Sequence, residues 1–494
     1  MDFLLGAVGD SPFSFWLAVA LFVIDFSVRV IAIIVVPRNR RPTSGMAWLL
    51  AIFFIPYVGI ILFLIIGSRR LPRSRRRKQD EINRLITEAT TGSDRLSDQR
   101  HAPPWLASIA TLGRNLGALP LTGGNGATLF TEYKETINSM ADAVRSAERY
   151  VHVQFYILAY DPTTEVFFEA MKDAVDRGIP VRVLLDHVAS LRSPGYKRTR
   201  QKLEDIGVEY ALMLPVRPFR GEYQRPDLRN HRKILVVDGT VGFMGSQNLI
   251  DSSYNKRSNR RRGLHWQDLM VRLEGPIVSG LNAIFLGDWF SETDEVLVNW
   301  VSDIQHAEHV NNLDCQAVPS GPGFAGENNL QMFLALLYNA SNRISITSPY
   351  FVPDESIMYA IKAATNRGVA VELFVSEVGD QAVVYHAQRS YYEDLLKAGV
   401  RIFMYRPPYI LHSKHFSIDD RVAVVGSSNM DMRSFSLNME VSMMVHGKSF
   451  VDDLRLVEDG YRANSRELTL EEWRKQPIRS TMLDNLARLT SALQ

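Results

Sequence analysis

Apolar positions follow three rhythms along this chain. Over residues 15–36 and 46–66 they run almost unbroken, each run long enough to cross a bilayer. Asp25 and Arg29 interrupt the first run four residues apart. That spacing puts them on one helix face, where they are expected to pair with each other or to meet the second run. Pro56 and Gly59 are expected to kink the second run. Neither run reads as a cleaved signal peptide, since no basic stretch precedes the first and no small-residue cleavage site follows it. The expectation is a two-helix membrane hairpin over residues 1–68. A basic flank and polar, partly helical connector follows over 69–121, with Pro103-Pro104, Gly113 and Gly117 inside it.

From residue 122 onward, short apolar runs alternate with stretches of helical spacing. Strands are expected at 126–133, 149–157, 179–186 and 208–213, with helices at 134–147, 162–178 and 197–207 between them. The second half repeats the order. Helices are expected at 326–341, 354–368 and 381–399, and strands at 342–352, 369–376 and 400–405. DRGIPVRVLLD and TNRGVAVELFVS superpose as helix end, Arg-Gly, strand. A duplication of this size predicts two homologous α/β lobes, 122–310 and 311–494, rather than a solenoid.

One stretch inside each lobe is shared more closely than the rest. HRKILVVDGTVGFMGSQN begins at His231 and HSKHFSIDDRVAVVGSSN at His412. Both read H-x-K, four residues, D, six residues, G-S-x-N. The shared positions are His231, Lys233, Asp238, Gly245, Ser246 and Asn248, and His412, Lys414, Asp419, Gly426, Ser427 and Asn429. On an extended strand His and Lys two apart share a face, and Arg232 or Ser413 between them points away. Asp-Gly or Asp-Asp-Arg then turns the chain into a hairpin. An imidazole, an ammonium and an amide gather at its open end, donors suited to a phosphate oxygen beside a nucleophile or proton carrier. A lone histidine on a strand is ordinarily structural; two full copies with one internal spacing are not coincidence.

These paired stretches resemble the HKD motifs of the phospholipase D superfamily. The likeness covers residue 122 to the C-terminus, and with the two N-terminal runs the whole layout resembles the bacterial cardiolipin synthases. The resemblance implies two phospholipase D-like lobes with a single active site at their pseudo-twofold interface. It implies that His231 attacks phosphorus and His412 serves as acid and base, although the motifs themselves are symmetric. Lys233, Lys414, Asn248 and Asn429 would hold phosphoryl oxygens, with Ser246 and Ser427 among the substrate-binding groups and Asp238 and Asp419 among the catalytic ones. Asp268 and Glu440 stand in matching places before a strand, and the family pattern has each orient the histidine of its own motif. The implied reaction moves a phosphatidyl group from one phosphatidylglycerol to another and releases glycerol, with no metal or cofactor. The alternative is a phospholipase D or transphosphatidylase using water or another alcohol. An idle scaffold is disfavoured by two intact motifs.

Composition adds limits. Among 494 residues, 46% are apolar and the net charge is only +2, so nucleic acid is not an expected partner and anion affinity must be local. The single cysteine, Cys315, excludes an intramolecular disulfide and a cysteine metal site. Arg38, Arg40 and Arg41 lie between the apolar runs. Arg69, Arg70, Arg73, Arg75, Arg76, Arg77 and Lys78 follow them. The larger cluster is expected in the cytoplasm, on anionic headgroups, giving a multi-pass cell-membrane protein with a cytoplasmic catalytic region. Lys256, Arg257, Arg260, Arg261 and Arg262, with Arg217, Arg220, Arg225 and Arg229, read either as solvated charges or as a guide for anionic lipid. Phe219 and Tyr223 suit an interface. Tyr156 and Tyr350 are expected at the pocket mouth, Trp289 in the core, and His306 and His309 on the surface. The Asp25–Arg29 pair is compatible with self-association into a homo-oligomer.

Overall fold

The computed structural model describes residues 12–38, 40, 42–68, 71–92, 94, 102–217, 219, 222–297, 309–324 and 326–489. Arg41, Arg69, Arg70, Arg220 and His306 lie outside them. The chain forms two compact units, divided after Arg69.

In the first unit, Pro12–Val35 is a 24-residue helix. Its segment Phe15–Val35 is, among the described residues, the one helical stretch long and apolar enough to cross a membrane. Arg29 Nε donates to Asp25 Oδ2 at 2.8 Å, the pairing expected from their spacing. The second apolar run is not a single helix. It divides into Pro42–Phe54 and Pro56–Ile66, because Pro56 brings no N–H to the ladder and its ring clashes with the preceding turn. Each piece is shorter than the roughly 20 residues a straight span needs. The two-helix hairpin is thus replaced by one long helix and two short ones. Ala32, Val36 and Ile52 pack together with Trp48 and Phe63 around them.

The second unit is built on one sheet, sixteen-stranded among the described residues when the short strand Arg229–Asn230 is counted with the fifteen named below. Its first half contributes β1 (Thr122–Phe130), β2 (Val151–Phe155), β3 (Val181–Asp186), β4 (Glu209–Met213), β5 (Lys233–Val237), β6 (Val241–Gly245) and β7 (Met270–Glu274). The second half contributes β8 (Leu313–Ser320), β9 (Arg343–Thr347), β10 (Ala370–Ser376), β11 (Arg401–Tyr405), β12 (His415–Ile418), β13 (Val422–Gly426), β14 (Asn438–His446) and β15 (Ser465–Leu468). The order across the sheet is β15-β11-β10-β9-β12-β13-β14-β8-β1-β7-β6-β5-β2-β3-β4. Apart from β15 at the edge, that order is a palindrome about the β8–β1 seam, which is the duplication expressed as topology. β5 (KILVV) and β13 (VAVVG) read as nearly continuous apolar runs and are buried along their whole length. The seam is not a gap between bodies. Met244, Val271 and Leu281 of one half share a core with Ala317, Val425 and Met443 of the other.

Local differences have local causes. β1 starts at Thr122, four residues before the expected start, because its early part pairs with β8 across the seam. The helix expected over 381–399 is two, Ala382–Arg389 and Tyr392–Lys397. At the break the Ser390 hydroxyl donates back to the Ala387 carbonyl at 2.6 Å, a bond that competes with the helical ladder. The basic flank is partly spoken for. Arg75, on the helix Arg73–Ala89, donates to both oxygens of Glu292 at 2.6 and 2.7 Å, and Lys78 pairs with Asp294.

Candidate active site

Each histidine follows a short strand that pairs with the other half. Arg229–Asn230 pairs in parallel with Asn438–Met439 of β14, and the His231 N–H then donates to the Met439 carbonyl at 2.8 Å. Tyr409–Leu411 pairs in parallel with His265–Gln267, and the His412 N–H donates to the Gln267 carbonyl at 2.7 Å. This exchange brings the two imidazoles to one cleft of about 490 Å³. Asn248 and Asn429 line it with them, as do Tyr156 and Tyr350.

The exchange also decides which carboxylate meets which histidine. His231 Nδ1 lies 2.9 Å from Glu440 Oε2, and His412 Nδ1 lies 2.7 Å from Asp268 Oδ1. The expected pairing within each motif is therefore corrected: Asp268 serves His412 and Glu440 serves His231. Glu440 stands one residue beyond the backbone that pairs with His231, and Asp268 one residue beyond that pairing with His412. Both carboxyls are held below their usual range. Burial alone would raise them, but the facing imidazole, the buried lysines and serine hydroxyls outweigh it. An ionised carboxylate only accepts, so each Nδ1 carries the proton and each Nε2 keeps its lone pair. Both imidazoles are pushed down to about 4, first by burial and then by the neighbouring lysines, against the pull of their carboxylates. In the empty cleft at neutral pH both are uncharged.

Ser246 and Ser427 are placed elsewhere than expected. Their hydroxyls donate to Asp268 at 2.6 Å and to Glu440 at 2.5 Å, so they steady carboxylates and are not among the residues that line the cleft. Glycine before each serine is required by the close approach of the next strand. A Cβ at Gly245 would lie 2.3 Å from the Leu269 carbonyl oxygen, and one at Gly426 would lie 2.3 Å from that of Val441. Lys233 Nζ donates to the His231 carbonyl at 2.6 Å and Lys414 Nζ to the His412 carbonyl at 2.5 Å. Burial draws Lys233 well below the usual lysine value and Lys414 down to about 8.

Asp238 and Asp419 do not belong to the cleft. Asp238 is at the far end of β5 from Lys233, about 16 Å away at strand rise. Its carboxylate accepts from the backbone N–H groups of Glu148, Arg149 and Tyr150 at 2.7–2.9 Å. Asp419 does the same for Ser341, Asn342 and Arg343. Both sit at positive φ, +55° and +52°, which Asp tolerates better than most residues. Their role is to fix the turn against the strand beside it. Asp238→Ala is expected to lower unfolding free energy by about 1–3 kcal/mol while the folded enzyme keeps its turnover; a denaturant titration beside an activity assay checks both.

Several basic residues expected to form a patch are internally paired. Arg229 Nη1 lies 3.0 Å from Asp186 Oδ1, and Arg225 pairs with Asp227. Arg232 points away from the cleft as expected, but into the protein. It is fully buried, pairs with Asp288 and donates to the Glu440 carbonyl at 2.9 Å. Lys256 lines the cleft, and Arg257, Arg260, Arg261 and Arg262 form a short exposed helix beyond it. Trp289 is core. Tyr156 stands edge-on to His231 at 4.8 Å and Tyr350 to His412 at 6.4 Å. Residues that motif spacing did not reveal complete the lining: Tyr254, Arg192 and Asp380. They lie outside the repeated stretch, on loops and short helices whose positions depend on the other half of the sheet.

Comparisons with known proteins agree with this geometry. The family model described as cardiolipin synthase, PLD-like domain matches residues 140–289 and 333–456, and that described as phospholipase D-nuclease N-terminal matches 28–68. Cardiolipin synthase A of Proteus mirabilis is 32% identical over 493 residues, covering 97% of each chain. The cardiolipin synthase of Alkalihalophilus pseudofirmus is 31% identical over 486 residues, covering 97% of this chain and 94% of the relative. The crystal structure of phosphatidylserine synthase from Haemophilus influenzae superposes with a TM-score of 0.60 at 14% identity, covering 78% of this chain and 99% of that one, a likeness of fold.

Proposed function

The chain belongs to the PLD-like cardiolipin synthases, and from that premise we propose that it moves the phosphatidyl group of one phosphatidylglycerol onto a second, releasing glycerol. The observation that carries the chemistry is the pair of imidazoles, each with its Nδ1 against a buried carboxylate, lining one cleft. His231 Nε2 attacks phosphorus, and the bond to the glycerol oxygen breaks. The leaving oxygen takes a proton from His412. His412 takes that proton from solvent as the substrate binds, because the phosphodiester's negative charge offsets the burial and the lysines that hold His412 near 4. In the second step the hydroxyl of another phosphatidylglycerol gives its proton to His412, its oxygen attacks phosphorus, and the bond to His231 breaks. Asn248 and Asn429 reach the phosphoryl oxygens from the cleft wall, and Lys233 and Lys414 supply positive potential behind them. Two displacements at one centre let donor and acceptor use the same alcohol position in turn.

The N-terminal unit fits a membrane anchor, with Phe15–Val35 spanning and the divided run returning the chain. The arginine-rich flank then leaves the catalytic region in the cytoplasm of a cell-membrane protein. Phosphatidylglycerol vesicles given to the purified protein are expected to yield cardiolipin and free glycerol by mass spectrometry. Phosphatidic acid as the main product would mean that water is the acceptor, and neither product would overturn the reading.

A further inference from the structure

The two halves repeat their strands but not the lining of the cleft. Tyr156 follows β2 directly and Tyr350 lies three residues past β9, each with its ring edge-on to an imidazole. The charges around them differ. Burial and the buried carboxylate of Asp186 act first on the Tyr156 hydroxyl, opposed by Arg229, which pairs with Asp186, and by Arg433 and Arg192. At Tyr350 the carboxylate is bonded directly to the hydroxyl and itself lines the cleft, where Asp227 and Asp431 are the other carboxylates. The Tyr350 hydroxyl lies 3.0 Å from both Oδ atoms of Asp380, and Gln381 Nε2 donates to the same hydroxyl at 3.0 Å. Asp380 and Gln381 both line the cleft. Tyr254, which stands edge-on to His412 at 6.2 Å, closes this side.

A carboxylate is out of place in a cleft that receives a phosphodiester, because it repels the anion. It is suited to a ligand that arrives with hydroxyl donors, to which it offers charge-assisted acceptors. An ammonium headgroup would satisfy it as well, but Lys256 lies over the Trp266 ring at 5.9 Å and bears on Asp380, so a second cation there meets repulsion. We propose that Asp380, held by Tyr350 and Gln381, recognises the free hydroxyls of the glycerol headgroup and sets the enzyme's selectivity for it. This rests on the reading of His412 as the group facing the departing and arriving alcohols. It places both glycerols in the His412 half, away from the arginines around Tyr156.

The test compares donors that differ only in headgroup. Initial rates are measured for the full-length protein with phosphatidylglycerol, phosphatidylethanolamine and a phosphatidyl p-nitrophenyl ester, the last having no hydroxyl to recognise. Asp380→Asn is expected to lower the ratio of kcat/KM for phosphatidylglycerol over the p-nitrophenyl donor by about ten-fold or more, mainly through KM. Tyr350→Phe is expected to move the ratio the same way by less, and decides the matter if the first variant fails to fold. An unchanged ratio in an enzyme that makes cardiolipin overturns this role alone. So does a ratio that changes for phosphatidylethanolamine but not for phosphatidylglycerol. A parent protein that forms no cardiolipin overturns the proposed function, and this role with it.

Discussion

His231→Ala and His412→Ala proteins, each folded, are expected to make cardiolipin at less than about a thousandth of the parent rate. The expectation follows from the division of labour. Without His231 no phosphatidyl-enzyme forms, and a water molecule in the space left is a poor nucleophile toward an anionic phosphodiester. Without His412 the glycerol oxygen must leave as an alkoxide. The two losses are separable. A p-nitrophenyl headgroup leaves without a proton, so with that donor His412→Ala is expected to release a burst of nitrophenol close to one per site. His231→Ala should release none. A burst from His231→Ala and none from His412→Ala would exchange the roles of the two histidines. Turnover unchanged in either variant would sink the mechanism.

Asp268→Asn should behave like a weakened His412→Ala, and Glu440→Gln like a weakened His231→Ala, each costing about 10²–10⁴ in turnover. The reason is the crossing of the pairs, His412 on Asp268 and His231 on Glu440. Each carboxylate fixes the Nδ1 proton of its histidine and stabilises the charge that develops on it. An amide keeps the shape but loses the charge, and it can present its NH2 to Nδ1, which turns the reactive lone pair away from the cleft. With the p-nitrophenyl donor, Asp268→Asn is expected to keep the burst and Glu440→Gln to slow it. The opposite result would mean that each carboxylate serves the histidine of its own motif. Each carboxylate also receives a serine hydroxyl, from Ser246 and from Ser427. Ser246→Ala and Ser427→Ala should therefore show milder forms of the same two behaviours.

Much of this molecule was legible along the chain. The two H-x-K to G-S-x-N stretches single out the two histidines that meet in one cleft, because spacing on a hairpin is a local property. The same holds for the β-α order of each half and for the Asp25–Arg29 pair, which the four-residue interval brings together on one helix. Local reasoning failed where a residue's partner comes from elsewhere. Asp238 and Asp419 share the repeated stretch with the histidines, so they read as catalytic. Only the strand's length shows that they cap the far end and bind the backbone at Glu148–Tyr150 and Ser341–Arg343. The break at Pro56 was expected as a kink; it is complete, and the two short helices pack on each other, Trp48 against Phe63.

The sequence by itself therefore determined the duplication and singled out the two histidines and the class of chemistry proposed for them, since repeat spacing is carried by the residues themselves, whereas burial and neighbours set their pKa values. The tertiary structure decided the partners. Each catalytic histidine rides on a strand paired with the opposite half, so its orienting carboxylate comes from the other copy. Asp380 enters the cleft from the loop after β10. No local rule specifies either feature, because both arise where segments far apart in the chain are brought side by side by one continuous sheet.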